Sequence, residues 1–378
     1  MSNGAPPGDA VSGSRTTSGL WRMPRDTLGN VARSRDNNFN LLRFLAACAV
    51  LLSHSVAIST GNPAIEPFRG LVGMSLGDMS VDVFFITSGY LVTASLLSRR
   101  SVSGFVAARA LRIYPALMVA IPLTVVVVAL WFTTEPKRSF LVNPETWRFL
   151  VKNVMLVRGI VYTLPGTFEH TPFPLAVNGS LWSLPSELAM YGLLVAVWVA
   201  LLAVRQPPER LFHICVALVC VIGLTFDSLG LEVPRVDRLT WHLIGMFFAG
   251  ACLQSFRFQI PFDAHLFVGL LALLIASAAF DAAVFASVYR LTLPYLVLYL
   301  AYAPSATLRQ FNKLGDYSYG IYIYAFPVQQ MLALALTGIN PTPMFFASLA
   351  ITLALAVASW HGIEKQALRL KRNEAVAR

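Results

Sequence analysis

The segment Asn38-Phe39-Asn40-Leu41-Leu42-Arg43-Phe44-Leu45-Ala46-Ala47-Cys48-Ala49-Val50-Leu51-Leu52-Ser53-His54-Ser55 opens the first of a series of apolar runs and sets the terms for reading the rest. It belongs to a run long enough to cross a bilayer, which takes about 20 residues. Yet it carries an arginine and, eleven residues on, a histidine. At about 100° per residue, eleven steps make three turns plus about 20°. Arg43 and His54 therefore share one helix face, about 16 Å apart along the axis. In a membrane helix Arg43 lies near the surface and His54 near mid-depth, where ionisable groups are costly and mark functional sites. The alternative is a packing histidine hydrogen-bonded within a helix bundle.

Composition supports the membrane reading. Of 378 residues, 56% are hydrophobic and 13% charged, and the mean hydropathy is +0.63. A soluble domain carries about 25% charged residues. A net charge of +10 would point to nucleic acid in a soluble chain. Here the charges sit mostly between apolar runs, where they set topology, and no nucleic-acid partner is expected. Cys48, Cys215, Cys220 and Cys252 all fall within apolar segments, so neither a disulfide framework nor a metal site is expected. Cys48 and His54 lie about 120° apart around a helix, a poor geometry for a Cys–His dyad.

Residues 1–36, rich in Gly, Ser, Pro, Thr and Arg, read as a disordered tail without a cleavable signal. Ten candidate spans follow, near 39–59, 77–97, 113–132, 181–203, 211–226, 239–256, 265–281, 284–303, 319–337 and 344–362, with a basic tail over 365–378. The expected fold is thus an all-α polytopic membrane bundle. With the N-terminus inside, nineteen of the 29 Lys and Arg residues fall on the cytoplasmic side and nine outside, which predicts both termini in the cytoplasm. Residues 133–180 form one long outer segment of mixed polarity. Irregular backbone is not tolerated in lipid, so this segment must cover the outer mouth or fold back on the bundle. The chain ends soon after the tenth span, so no soluble partner domain is expected.

Four further motifs carry polar groups into or beside these spans. Arg109 and Arg112, at i and i+3, project together at the cytoplasmic surface, suited to clamping phosphate oxygens; the alternative is topological charge. Gly77 to Tyr90 starts the second span, with Asp82 and Ser88 within or just above the hydrocarbon, and Asp82 is a candidate partner for His54 or an N-terminal dipole residue. Ser88-Gly89 reads as a close-packing or kink site rather than a nucleophile. Trp182-Ser183-Leu184-Pro185-Ser186-Glu187 opens the fourth span, with Glu187 one to two turns into the bilayer from outside. There it is either an acid/base group facing a cavity or a structural carboxylate paired to an arginine. The tyrosines of Asp316-Tyr317-Ser318-Tyr319-Gly320-Ile321-Tyr322-Ile323-Tyr324 read as an aromatic belt. His170, His213, His242, His265 and His361 show no ligand spacing and read as structural or interfacial.

Taken in order, these pieces resemble acyltransferase family 3, the multi-pass bacterial membrane O-acyltransferases that modify O-antigens, exopolysaccharides and nodulation factors. The resemblance covers residues 37–364. It rests on Asn40-Leu41-Leu42-Arg43 ten residues ahead of His54, on Asp82-Val83-Phe84-Phe85-Ile86-Thr87-Ser88-Gly89-Tyr90, on Arg109-x-x-Arg112, on Trp182 to Glu187, and on Ser318-Tyr319-Gly320-Ile321-Tyr322. It implies an enzyme of the bacterial inner membrane. That enzyme would move an acyl group, usually acetyl, from cytoplasmic acetyl-CoA to a hydroxyl of an extracytoplasmic glycan or lipid-linked saccharide. Arg43 and His54 match the family's essential pair, and Arg109 and Arg112 its paired arginines. Ala325 departs from the pattern, since members often carry His there. The expected site is then His54 as general base or acyl acceptor, with Glu187 and Asp82 assisting and Arg43, Arg109 and Arg112 holding the donor. The competing class is a proton-coupled transporter, which would explain the intramembrane polar groups but not the aligned arginines. A scaffold subunit is the third.

Overall fold

The computed structural model describes residues 26–33, 36–157, 159–202, 209–303 and 306–376, with side chains to residue 370. The expected tail over 1–25 lies outside the described residues, as do Arg35, Arg158 and Arg205 from the topological charge count.

A helix occupies each expected span. In chain order they are α1 (Leu28–Val31), α2 (Phe39–Thr60), α3 (Arg69–Val72), α4 (Leu76–Arg99), α5 (Val102–Trp131), α6 (Lys137–Val142), α7 (Pro144–Met155), α8 (Ser183–Leu202), α9 (Glu209–Ser228), α10 (Arg238–Ser255), α11 (Ala264–Ser277), α12 (Ala282–Tyr302), α13 (Ala306–Arg309), α14 (Ser318–Ala335), α15 (Pro341–Ser359) and α16 (Lys365–Val376). Seven of these segments are long and apolar enough to cross a membrane: α2, α4, α5, α8, α9, α12, and α15 with its extension. At 14 residues, α11 is about 21 Å long, short of a full hydrocarbon core. No strand occurs among the described residues.

Local chemistry sets the helix ends. Ser75 and Asp78 form a reciprocal capping box at the start of α4, so the dipole-complementing role considered for Asp82 belongs to Asp78. Gly61, at φ 71°, closes α2 by returning its N–H to Ala57 O, and its bare Cα lies against the Pro172 carbonyl. Two ends of the bundle matter below. The arginine end is where Arg43 sits in the first turns of α2; the cap end is where Gly61 terminates that helix.

At the cap end, residues 133–180 fold back on the bundle as expected. Phe140, Phe149 and Phe168 are buried. Asn178 Nδ2 donates to Ile323 O (2.9 Å), and Gln330 Nε2 donates to Phe173 O and Ala176 O (2.7 Å each), tying the segment to α14. The tail expectation needs correcting at its inner end. Residues 26–33 form a docked turn in which Thr27 caps α1, Leu28 is buried, and Leu28 N donates to Ile260 O (2.9 Å). Leu28 supplies the apolar contact that fixes it. The expected C-terminal tail begins as helix α16, joined to α15 by a single π-helical turn, Trp360–Glu364.

Helices α4 and α10 approach each other closely at two glycines. A Cβ on Gly89 would meet the Phe247 carbonyl oxygen at 1.9 Å, and one on Gly250 would meet the Ile86 carbonyl oxygen at 2.0 Å. Backbone atoms cannot yield as a side-chain tip can, so Gly89 is the packing site its sequence context suggested. Gly89→Ala should push α4 from α10 and destabilise the protein by about 1–3 kcal/mol or more. Thermal unfolding in nanodiscs, compared with Gly192→Ala, where a Cβ meets open space, checks this.

Candidate active site

The first turns of α2, the middle of α4, the start of α5 and the start of α8 enclose a cavity of about 220 Å³ at the arginine end. Arg43, Ser88, Arg109, Arg112, Glu187 and Tyr191 stand on its wall. Its three arginines differ sharply in their commitments. Arg112 lies between two carboxylates, Asp316 Oδ2 at 2.6 Å and Glu364 Oε2 at 2.9 Å, with its guanidinium 5.4 Å from the Tyr319 ring. The π-helical turn re-aims Glu364 inward, where Ser359 Oγ also donates to it (3.0 Å). Arg43 is 3.9 Å from Asp316 and lies over Phe84 (5.7 Å). Burial opposes ionisation of Asp316, and the Arg112 and Arg43 guanidiniums beside it hold its carboxyl below the usual carboxylate range. Arg109 makes no ion pair with a described carboxylate; it rests 6.0 Å from the Tyr191 ring with its Nε buried and unpartnered.

Glu187 accepts a hydrogen bond from Ser88 Oγ (2.6 Å) and another from the Tyr191 hydroxyl, both on Oε1. Of the two readings for Glu187, the structure has it facing a cavity, the one at the arginine end. The turn Gly179–Trp182 is itself buried, with Ser180 and Leu181 nearly inaccessible. Helix α8 therefore starts inside the bundle, and its first turn reaches deeper than its place in the sequence suggests.

A narrow space of about 30 Å³, flanked by Phe84 and Tyr322, adjoins this cavity through Arg43, Glu187 and Tyr319. Val81 also borders a third cavity, of about 710 Å³, at the cap end. Asp82 lines that third cavity and is not paired with His54. Its two oxygens take His242 Nε2 (2.9 Å) and the Tyr289 hydroxyl (2.8 Å). Helical periodicity explains the difference. Gly77 meets Ser53 of α2, and Asp82, five residues on, is rotated about 140° away toward α10 and α12.

His54 stands off these three cavities. Its ring packs edge-on against Phe326 (centroids 5.2 Å, 77°), and its Nδ1 is buried with no hydrogen-bond partner. The neighbouring serines are engaged: Ser53 donates to Glu66, and Ser55 Oγ receives Gln329 Nε2 (2.8 Å). An uncharged imidazole with an unused nitrogen can accept a proton or an acyl group. Because α2 is continuous from Phe39 to Thr60, the Arg43–His54 face expected from spacing is intact.

The structure thus gathers Arg43, Arg109, Arg112 and Glu187 on one cavity and leaves His54 and Asp82 apart from it and from each other. It also reveals a cluster that sequence reading missed. His242 Nδ1 is 2.8 Å from Asp227 Oδ2, which also receives Arg290 Nε (2.5 Å), and Asp227 Oδ1 receives Arg238 Nε (3.3 Å). These partners come from α9, α10 and α12, so no local spacing announces them. The available signal was Asp227 standing at the end of one apolar run and Arg290 inside another.

Comparisons with known proteins agree with this picture. A family model described as an acyltransferase domain matches residues 36–361. The chain is 30% identical over 341 residues to a protein named O-acetyl transferase from Shigella phage Sf6, covering 88% of this chain and 96% of that one. It is 28% identical over 375 residues to nodulation protein 10 of Rhizobium leguminosarum bv. viciae, covering 90% of this chain and 95% of that protein. No solved structure matches it. With the family model spanning nearly the whole described bundle, the chain belongs to acyltransferase family 3 and is an acyltransferase enzyme of the O-acetyltransferase type.

Proposed function

We propose that this protein carries an acyl group, acetyl in the simplest case, from cytoplasmic acetyl-CoA to a hydroxyl of an extracytoplasmic glycan or lipid-linked saccharide. The observation that carries the reading is the arginine cavity, where Arg109 is unpaired beside Arg43 at the end of the helix face that leads to His54. In this scheme the bundle crosses a bacterial inner membrane through ten helices, both termini in the cytoplasm, and the arginine end faces the cytoplasm. Arg109 and Arg43 hold the phosphates of CoA. Arg112, committed to Asp316 and Glu364, shapes the same wall. The pantetheine arm extends along α2 and widens the neck between Phe84 and Tyr322, bringing the thioester toward His54 about 16 Å away.

Two routes then balance. In direct transfer His54 takes the acceptor hydroxyl proton as that oxygen attacks the thioester carbonyl; the C–S bond breaks and the CoA sulfur receives the proton. In the covalent route the imidazole attacks first and the C–S bond breaks, CoA leaving as the thiol with the ring N–H proton; the acceptor oxygen then attacks the acyl carbon and the imidazole leaves with the hydroxyl proton. Both need neutral imidazole at the outset. Glu187, oriented by Ser88 and Tyr191, borders the donor path, and Asp82 lies on the acceptor side with His242. Family membership favours this enzyme over a proton-coupled transporter, which would leave Arg109 without a task.

Purified protein in nanodiscs, given radiolabelled acetyl-CoA without acceptor, should release CoA slowly. Label retained on protein identifies the covalent route. Failure to bind or turn over acetyl-CoA and longer acyl-CoAs alike overturns the reading.

A further inference from the structure

The 710 Å³ cavity at the cap end lies among the starts of α4, α10 and α12 and the end of α9, and its volume falls in the ~300–1,000 Å³ range of small-ligand sites. Every carboxylate on its wall is already engaged. Asp82 is held by His242 and Tyr289, Asp227 by His242, Arg238 and Arg290, and Asp78 at the rim by Arg69 (3.0 Å).

The guanidiniums are not fully engaged. Arg290 is only 8% exposed and donates through Nε alone; its two terminal nitrogens have no hydrogen-bond partner among the described residues, yet they are not sealed from the cavity. Arg238, at the rim with its side chain 58% exposed, likewise commits only Nε to Asp227. Burying a guanidinium at membrane depth with its forked donors unmatched is expensive, and a bidentate oxyanion is the ligand that matches the fork. Three arginines balance the three carboxylates, so the cluster carries no net negative charge to repel such a group. Trp182 adds an aromatic face to the same wall.

We propose that this cavity receives the acceptor, and that the acceptor bears a carboxylate or phosphate oxyanion held between Arg290 and Arg238 with its sugar ring against Trp182. Only the word acceptor rests on the acyl-transfer reading; the anion site stands on its own geometry. The two sources of the oxyanion are a uronate in the saccharide and the phosphate that links a saccharide to its lipid carrier.

Equilibrium dialysis of nanodisc-embedded full-length protein against radiolabelled methyl glucuronide, inorganic pyrophosphate and neutral methyl glucoside tests this. One anion should bind at least tenfold tighter than the glucoside, and which anion does so identifies the source. Arg290→Lys keeps the charge but removes the fork, and Arg238→Gln alters an exposed side chain while Asp227 keeps His242 and Arg290; each should erase the preference. Equal binding of all three probes, binding of none, or a preference that survives Arg238→Gln overturns the proposal, whether or not Arg290→Lys folds. CoA release by the wild type from acetyl-CoA on the same preparation reports on acyl transfer separately, so failure of that reading and of the anion site are distinguishable.

Discussion

His54→Ala should reduce acyl transfer to acceptor by about 10²–10⁴-fold or more, with thermal unfolding close to that of the wild type. The activity loss follows because the serines beside His54, Ser53 and Ser55, are already hydrogen-bonded and carry no basic group. Residue 325 is an alanine, which carries none either. Fold is spared because the imidazole makes an edge contact with Phe326 and leaves Nδ1 unpartnered, so its removal orphans no buried group. His54→Gln separates the chemistry from the shape: it is polar and of similar size but supplies no basic nitrogen, and it should be as inactive as Ala. Activity above a tenth of wild type in either variant would remove His54 from the reaction and shift attention to Glu187.

Arg112→Ala and Arg109→Ala should part company in kind. Removing Arg112 leaves Asp316 with only Arg43 at 3.9 Å and leaves Glu364 with no arginine partner, both in a nearly dry setting. Breaking a buried pair by deleting one partner costs about 3–5 kcal/mol, so Arg112→Ala should fold poorly or melt well below the wild type. The pH dependence has a definite sign. Asp316 has its carboxyl depressed in the folded state, so its contribution is complete above the ordinary carboxylate pKa of about 4 and is lost as pH falls through the lower folded value. In Arg112→Ala the unpaired, buried Asp316 and Glu364 carboxyls take up protons more readily than in the wild type, so the stability gap should be widest near neutral pH and narrow steadily as the pH falls. Arg109→Ala breaks no ion pair and should melt near the wild type. Its KM for acetyl-CoA should rise about ten- to hundredfold, the equivalent of a lost charged hydrogen bond of about 1.5–3 kcal/mol. The reverse pattern, a stable Arg112→Ala with raised KM and a collapsed Arg109→Ala, would exchange their assignments.

What the chain determined by itself was the all-helical bundle with seven of its ten expected spans long and apolar enough to cross a membrane, the shared face of Arg43 and His54, the adjacency of Arg109 and Arg112, and the folding back of residues 133–180. These follow from relations local in the sequence: hydropathy over about 20 residues, 100° per residue, and the intolerance of lipid for irregular backbone. Only the packing of helices decided which polar groups meet. Asp82 finds His242 across 160 residues rather than His54, because rotation about α4 aims it at α10 and α12. Arg112 finds Asp316 and Glu364, 204 and 252 residues away, which turns one member of a sequence-adjacent arginine pair into a structural clamp and leaves the other free. Glu187 moves to the arginine cavity because its helix starts below the surface. An isolated charge in an apolar run announces that a partner must exist, since burial without one is too costly. It does not say on which helix that partner lies, because that depends on the mutual rotation and depth of helices, and those are set by close contacts such as Gly89 against Phe247.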